Sequence, residues 1–253
     1  MKGTWKLDSL LLAGSLLAAT AALAEAPVGQ YDGVIQAKLT QQLGKKQFKE
    51  VSSSVQDGVV TLEGTVDTYQ HKLDAARKAG KEEHVTAVRD QVQVADAGMS
   101  DAALRQRLAQ KLAYDRVGYD NVFNVLAVEV KDGVATVGGE VRDYVDRDSA
   151  ISAVASTPGV KAVVDNVKVA PASFADDQLR VRIARAIYRD PVLSKYAMDP
   201  QAPIRIVVDG GRVGLYGTVD SSMDRTVAGM RANEVFGAFQ VDNHLTTAID
   251  TVR

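Results

Sequence analysis

The chain has 253 residues, of which 46% are hydrophobic and 25% charged, with a net charge of −2 and no cysteine. That length exceeds an ordinary single domain, and the composition is that of a soluble globular protein. The absence of cysteine excludes a disulfide framework, thiolate catalysis and a thiolate zinc centre, and the near-neutral charge argues against a polyanion binder such as a nucleic-acid protein.

Lys2 and Lys6 give a short basic start, followed by an apolar run that ends in Ala22-Leu23-Ala24. This is the pattern of a secretory signal, with cleavage expected after Ala24. The run from Leu10 to Ala24 has 15 residues and is broken by Gly14, Ser15 and Thr20, whereas a spanning helix needs about 20 apolar residues. Residues 1–24 therefore read as a signal peptide. The mature chain, which has no cysteine for a lipid, reads as released into a bacterial periplasm.

Beyond residue 24 one pattern occurs three times. "QDGVVTLEGTV", "KDGVATVGGEV" and "VDGGRVGLYGTV" place Gly64, Gly139 and Gly217 at intervals of 75 and 78 residues, the size of a small domain. Each copy opens with apolar residues at i, i+4 and i+8, the spacing of one helix face: Ile35, Leu39, Leu43, then Leu104, Leu108, Leu112, then Leu179, Ile183, Ile187. Ser100, and Asp176 with Asp177, are the capping candidates for the second and third of these helices. A short strand then enters an Asp-Gly turn at Asp57, Asp132 or Asp209, a strong hairpin signal because both residue types tolerate positive φ. On the outgoing strand Val60, Leu62, Gly64 and Val66 share one face, as do Ala135, Val137, Gly139 and Val141 in the second copy and Val213, Leu215, Gly217 and Val219 in the third. A helix of the same module pressed over Gly64, Gly139 and Gly217 is the expected reason for a glycine within a strand, and a bulge is the alternative. A second helical stretch and a last strand, "VRDQVQV", "VVDNVKV" or "FQVDNHLTT", complete each copy.

The expected fold class is α+β: three tandem αββαβ modules, each with two helices on one face of a three-stranded mixed sheet. They span 28–96, 99–170 and 174–250, with linkers "ADAGMS" at 95–100 and "APASFADD" at 170–177. The element order, the Asp-Gly hairpins, "TPGV" at 157–160, "VVDNVKV" and "QVDNHL" resemble the BON domain of bacterial envelope proteins. Several copies behind an export signal resemble the osmotically inducible members of that family. The resemblance covers nearly the whole mature chain and is poorest in the first copy, where Glu82-Glu83-His84-Val85 replaces the Pro-Gly-Val turn. It implies contact with phospholipid or other envelope components, and it carries no catalytic motif.

The residues add little chemistry of their own. His71, His84 and His244 are the only histidines. None is spaced for a metal helix, and each reads as a solvated or strand-end residue. Gly138-Gly139 and Gly210-Gly211 lack the Lys-Ser/Thr of a phosphate loop. Some BON relatives are associated with potassium, but Asp165-Asn166 and Asp242-Asn243 cannot supply the six or so converging oxygens that a hard cation requires. We expect no catalytic residue, no metal and no cofactor.

The surface offers more. Arg182, Arg185 and Arg189 form a stripe on the third first-helix, with Tyr188 beside them, and suit anionic headgroups. Lys45, Lys46 and Lys49 around Phe48 make a second, less regular basic cluster. The loops after the second and third first-helices are longer than in the first copy and carry Tyr114, Tyr119 and Phe123, then Tyr188 and Tyr196. The expected activity is non-enzymatic association with a phospholipid surface or envelope proteins, peripheral and not transmembrane, in support of envelope integrity. The alternative is a periplasmic chaperone or protein-interaction module. Oligomeric state is not readable.

Overall fold

The computed structural model describes residues 29–114, 121–199 and 203–247. The leader, Tyr119 and the side chain of Tyr114 lie outside the described residues. The first module contains α1 (Asp32–Leu43), β1 (Val51–Gln56), β2 (Val59–Val66), α2 (Tyr69–Gly80), β3 (Ala87–Asp90) and β4 (Gln93–Val94). The second contains α3 (Asp101–Tyr114), β5 (Val125–Lys131), β6 (Val134–Val141), α4 (Tyr144–Ala155) and β7 (Ala162–Val169). The third contains α5 (Phe174–Tyr188), β8 (Arg205–Asp209), β9 (Arg212–Val219), α6 (Ser222–Asn233) and β10 (Gln240–Thr247). The expected three-module α+β architecture is what the chain adopts.

In each module the middle strand pairs antiparallel with the strand before it and parallel with the last one. A hairpin makes the first pairing, and the second helix crosses over to make the second. The first module splits its last strand into β3 and β4, both paired to β2. Burial explains why these segments fold as they do. The three i, i+4, i+8 faces, including Leu39, Leu108 and Ile183, close each core against the inward residues of the middle strand, such as Leu62, Val137 and Leu215. Thr68, Asp143 and Ser221 cap the second helices through their side chains, each satisfying an amide that the helix leaves open.

The recurrent glycines have another cause than either reading of the sequence. Gly64, Gly139 and Gly217 have φ of +116°, +114° and +122°. A Cβ there would lie 1.9, 2.0 and 1.8 Å from the carbonyl oxygens of Glu50, Val125 and Pro203 across the hairpin. No helix presses on them: the atoms nearest to a Cβ at each belong to the chain across the hairpin, Glu50 and Val51, Val125 and Leu126, or Pro203 and Ile204. There is no bulge in the first two hairpins, because the register passes through Val51↔Gly64 and Leu126↔Gly139 without a slip. The strand kinks in a region that only glycine adopts freely.

The two-residue turns are Asp57-Gly58, Asp132-Gly133 and Gly210-Gly211, all with positive φ. Asp209 is therefore the last residue of β8 and not a turn residue, which accommodates the extra residue of the third copy. Each turn is held from the first helix. Asp32 accepts from the amides of Asp57 (2.8 Å) and Gly58 (2.9 Å). Asp101 accepts from Asp132 (2.7 Å) and Gly133 (3.0 Å), and Asp176 from Gly210 and Gly211 at 3.0 Å each. One carboxylate thus satisfies two adjacent turn amides and ties the start of the helix to the hairpin tip. Asp176 is not the cap of α5. Ser173 is, accepting from the Asp176 amide at 3.2 Å, and Phe174–Asp177 belong to the helix, so the second linker shortens to 170–173. Ser100 caps α3 as expected, accepting from the Ala103 amide at 3.3 Å.

The third module has an additional polar lock where the chain leaves α5. Tyr196 is buried and donates to Asp224 at 2.6 Å, while Lys195 reaches the same carboxylate at 2.8 Å. The buried Asp190 pairs with Arg231 at 2.7 Å. The Arg231 hydrogen bond holds the Asp190 carboxyl below the usual range. At Asp224 burial pushes upward, but Lys195 and the Tyr196 hydroxyl outweigh it and the carboxyl is again lowered. Both groups therefore take up protons in the unfolded chain before they do so in the folded one. Their stabilisation is complete above the ordinary aspartate range of about 4 and drains as pH falls through the lower folded values. We expect the melting temperatures of wild type and Asp190→Asn to differ near neutral pH and to converge as pH drops below about 4. A constant gap measured by thermal denaturation would contradict this.

Candidate functional site

The arginine stripe begins with the residues that α5 must bury. Leu179, Ile183 and Ile187 face the core, which turns Arg182, Arg185 and Arg189 outward, and all three are exposed. None of the three forms an ion pair among the described residues, whereas Arg180, one position before Val181, is 3% exposed and held by Asp177 and the Val208 carbonyl. Arg142 of the second module reaches the same Asp177 at 3.3 Å. Asp177, the partly exposed acid of α5, is thus already engaged.

Phe174, Asp177, Gln178, Val181, Arg182 and Arg185 border an open groove of about 410 Å³ along α5. Tyr188 does not join it. Its hydroxyl donates to the Ile204 carbonyl at 2.7 Å and accepts from the Ile204 amide, and burial pushes its pKa up. Tyr196 likewise serves the lock and not a surface, with its phenol pushed up to about 12 by burial. Phe123 packs across onto the core of the third module. Lys45, Lys46 and Lys49 are exposed, but Phe48 between them is in the first core, and Lys49 pairs with Glu50 at 3.3 Å.

The histidines separate. His84 stacks on Tyr31 at 3.7 Å and His244 on Tyr216 at 4.8 Å. His71 is neither solvated nor at a strand end: it sits half-buried on α2, edge-on to Phe48, with Nδ1 lacking a hydrogen-bond partner. The Asx positions of the last strands serve the backbone. Asp165 Oδ1 accepts from the Val167 amide and Asn243 Oδ1 from that of Leu245. Among the described residues no group of three or more His, Asp or Glu side chains is placed to hold a metal ion. No described helix is long and apolar enough to cross a membrane.

Two features escape the spacing of charged residues. A cleft of about 1050 Å³ lies between the second and third modules, with Arg105 and Gln106 of α3, Leu126 of β5, and Arg205 and Tyr216 on its walls. Phe174, Phe236 and Phe239 are exposed at 80%, 93% and 84%. The signal for the last two was available by comparing the copies. The amides of Thr86, Lys161 and Phe239 bond equivalent turn carbonyls, those of Gly58, Gly133 and Gly211. The third copy therefore places Phe236 and Phe239 where the first has Glu83 and Thr86 and the second has Pro158 and Lys161.

A model of the BON domain matches residues 31–96, 100–171 and 175–248. Osmotically-inducible protein Y of Escherichia coli (strain K12) is 29% identical over 126 residues, a stretch that covers 47% of this chain and 61% of that protein. Among solved structures, the C-terminal domain of CdsD, a structural protein of the type III secretion system of Chlamydia trachomatis, aligns with a TM-score of 0.25 and 15% identity, covering 83% of this chain and 96% of the other. The PrgH periplasmic domain aligns with a TM-score of 0.22 and 10% identity, over 83% and 97%.

Proposed function

Because this chain belongs to the BON domain family, with the domain present three times, we propose that it is a non-enzymatic, exported periplasmic protein that associates with anionic phospholipid and supports envelope integrity under osmotic stress. The observation that carries the reading is the outward row of Arg182, Arg185 and Arg189, which has no ion pair among the described residues. The export pattern before residue 25 and the likeness to an osmotically inducible protein support the compartment and the stress.

Magnitudes limit what the stripe can do alone. Each basic residue near an anionic surface contributes about 1 kcal/mol, so three give roughly 3, weaker than the about 4 kcal/mol of millimolar binding. Apolar contact must add the rest. In flotation with phosphatidylglycerol-containing vesicles, wild type should float, and a variant with Arg182, Arg185 and Arg189 changed to Glu should stay at the bottom. Equal recovery of the two would remove the stripe from the account, and failure of wild type to float would remove lipid binding.

The cleft between the second and third modules favours a second reading, a protein-interaction or chaperone module. It expects suppression of aggregation of an unfolded exported client in the absence of lipid. No effect at stoichiometric excess would discard it.

A further inference from the structure

We propose that the turn between α6 and β10 is a membrane wedge, in which Phe236 and Phe239 enter the acyl boundary of an anionic bilayer while Arg182 and Arg185 hold headgroups beside them. This rests on the phospholipid reading above and assigns the apolar contact that the arginines lack.

Phe236 and Phe239 are almost fully exposed, and only the third of the three equivalent turns carries phenylalanine at these positions. The turn is fixed to the arginine face. Gly237 has φ +100°, and a Cβ there would lie 3.4 Å from the Arg182 guanidinium and 3.8 Å from Leu179. The Phe239 ring lies over Gly211, where a Cβ would come within 2.5 Å of it, and the Phe239 amide donates to the Gly211 carbonyl at 2.9 Å. The exposed Phe174 and Val181 border the groove along α5 together with Arg182 and Arg185. The turn that carries Phe236 and Phe239 thus meets Arg182 through Gly237, Phe174 shares the groove with Arg182 and Arg185, and Arg212, next to Gly211, is exposed as well.

Charge and ring chemistry select the occupant. The acid on this face of α5, Asp177, is occupied by Arg142 and Arg180, which leaves cations to meet an anionic surface. Phenylalanine has no polar atom to bond a hydrated partner. Single rings that project with 93% and 84% exposure suit a fluid apolar solvent more than a shaped protein pocket, which would need a contiguous patch.

The test exploits tryptophan content. Trp5 is the only tryptophan and lies in the expected leader, so Phe236→Trp in the mature chain gives one reporter. With phosphatidylglycerol vesicles its emission should shift to the blue and be quenched by brominated acyl chains, but not with phosphatidylcholine vesicles. Phe236→Ser/Phe239→Ser should lower vesicle partitioning on the order of a hundredfold with an unchanged melting temperature. Should the double variant melt early, Phe236→Ser alone keeps the comparison. If wild type floats while the tryptophan neither shifts nor is quenched and the serine variants float equally, the wedge is wrong and the arginine reading stands. If wild type does not float, both fall. A blue shift that requires a protein and no vesicle would also overturn the wedge.

Discussion

Replacing Gly139 by alanine is expected to unfold the second module or to cost it about 3 kcal/mol or more, the sum of a left-handed backbone for a residue with Cβ and a collision that no rotamer relieves. The atom it meets is the Val125 carbonyl oxygen at 2.0 Å, part of the paired backbone of β5. Gly138, one residue earlier, provides the control. Its φ is not positive, and a Cβ there would find only the Asn166 Cβ at 4.0 Å, so Gly138→Ala should stay within about 0.5 kcal/mol of wild type. Chemical denaturation of the two variants separates the cases. Equal stabilities would show that the kink tolerates a side chain and that the glycine recurs for some other reason.

Asp176→Ala should be the next most costly change. It leaves the amides of Gly210 and Gly211 without their acceptor, the second of them buried, and it detaches the start of α5 from the hairpin. Hydrogen bonds to a charged acceptor contribute about 1.5–3 kcal/mol each and are not additive, so a loss of about 3 kcal/mol is expected. Asp176→Asn keeps one acceptor oxygen and should recover roughly half of that. Amide exchange would localise the effect: Gly210 and Gly211 should lose protection before the rest of β9. A uniform loss across the module would assign Asp176 to helix stability and not to the turn.

The periodic features were legible in the sequence for a physical reason. Residues such as Leu39, Leu108 and Ile183 recur at helical spacing because one face must be buried, and burial is written in residue type. The paired glycines and aspartates of the turns show likewise. The sign of φ at Gly64 is not written, since a glycine under a helix, in a bulge and at a kink look the same until the carbonyl across the hairpin is placed. The carboxylate clamps are contacts over 25 or more residues, yet Asp32, Asp101 and Asp176 each stand three residues before Ile35, Leu104 and Leu179. Aligning the copies on those apolar residues would have found them.

The candidate site was half legible. Spacing marked Arg182, Arg185 and Arg189, and they do face outward. It gave Tyr188 the same face, because it could not show that Ile204 would claim the hydroxyl. It also could not distinguish Arg180, which is buried against Val208, from its exposed neighbours. Phe239 read as the first residue of the last strand, and Phe236 fell between the second helical stretch and that strand. Their exposure follows from a turn whose core-facing positions are taken by Val235 and Ala238.

If Arg182, Arg185, Phe236 and Phe239 make the membrane contact, one face of the third module meets an anionic bilayer while the equivalent faces of the other two do not. Hydrogen exchange of the full mature chain, measured with and without phosphatidylglycerol vesicles, decides the matter. Protection should be confined to α5 and to residues 236–239, with α1, α3 and their turns unchanged. Equal protection of all three first helices, or none at all, would contradict it.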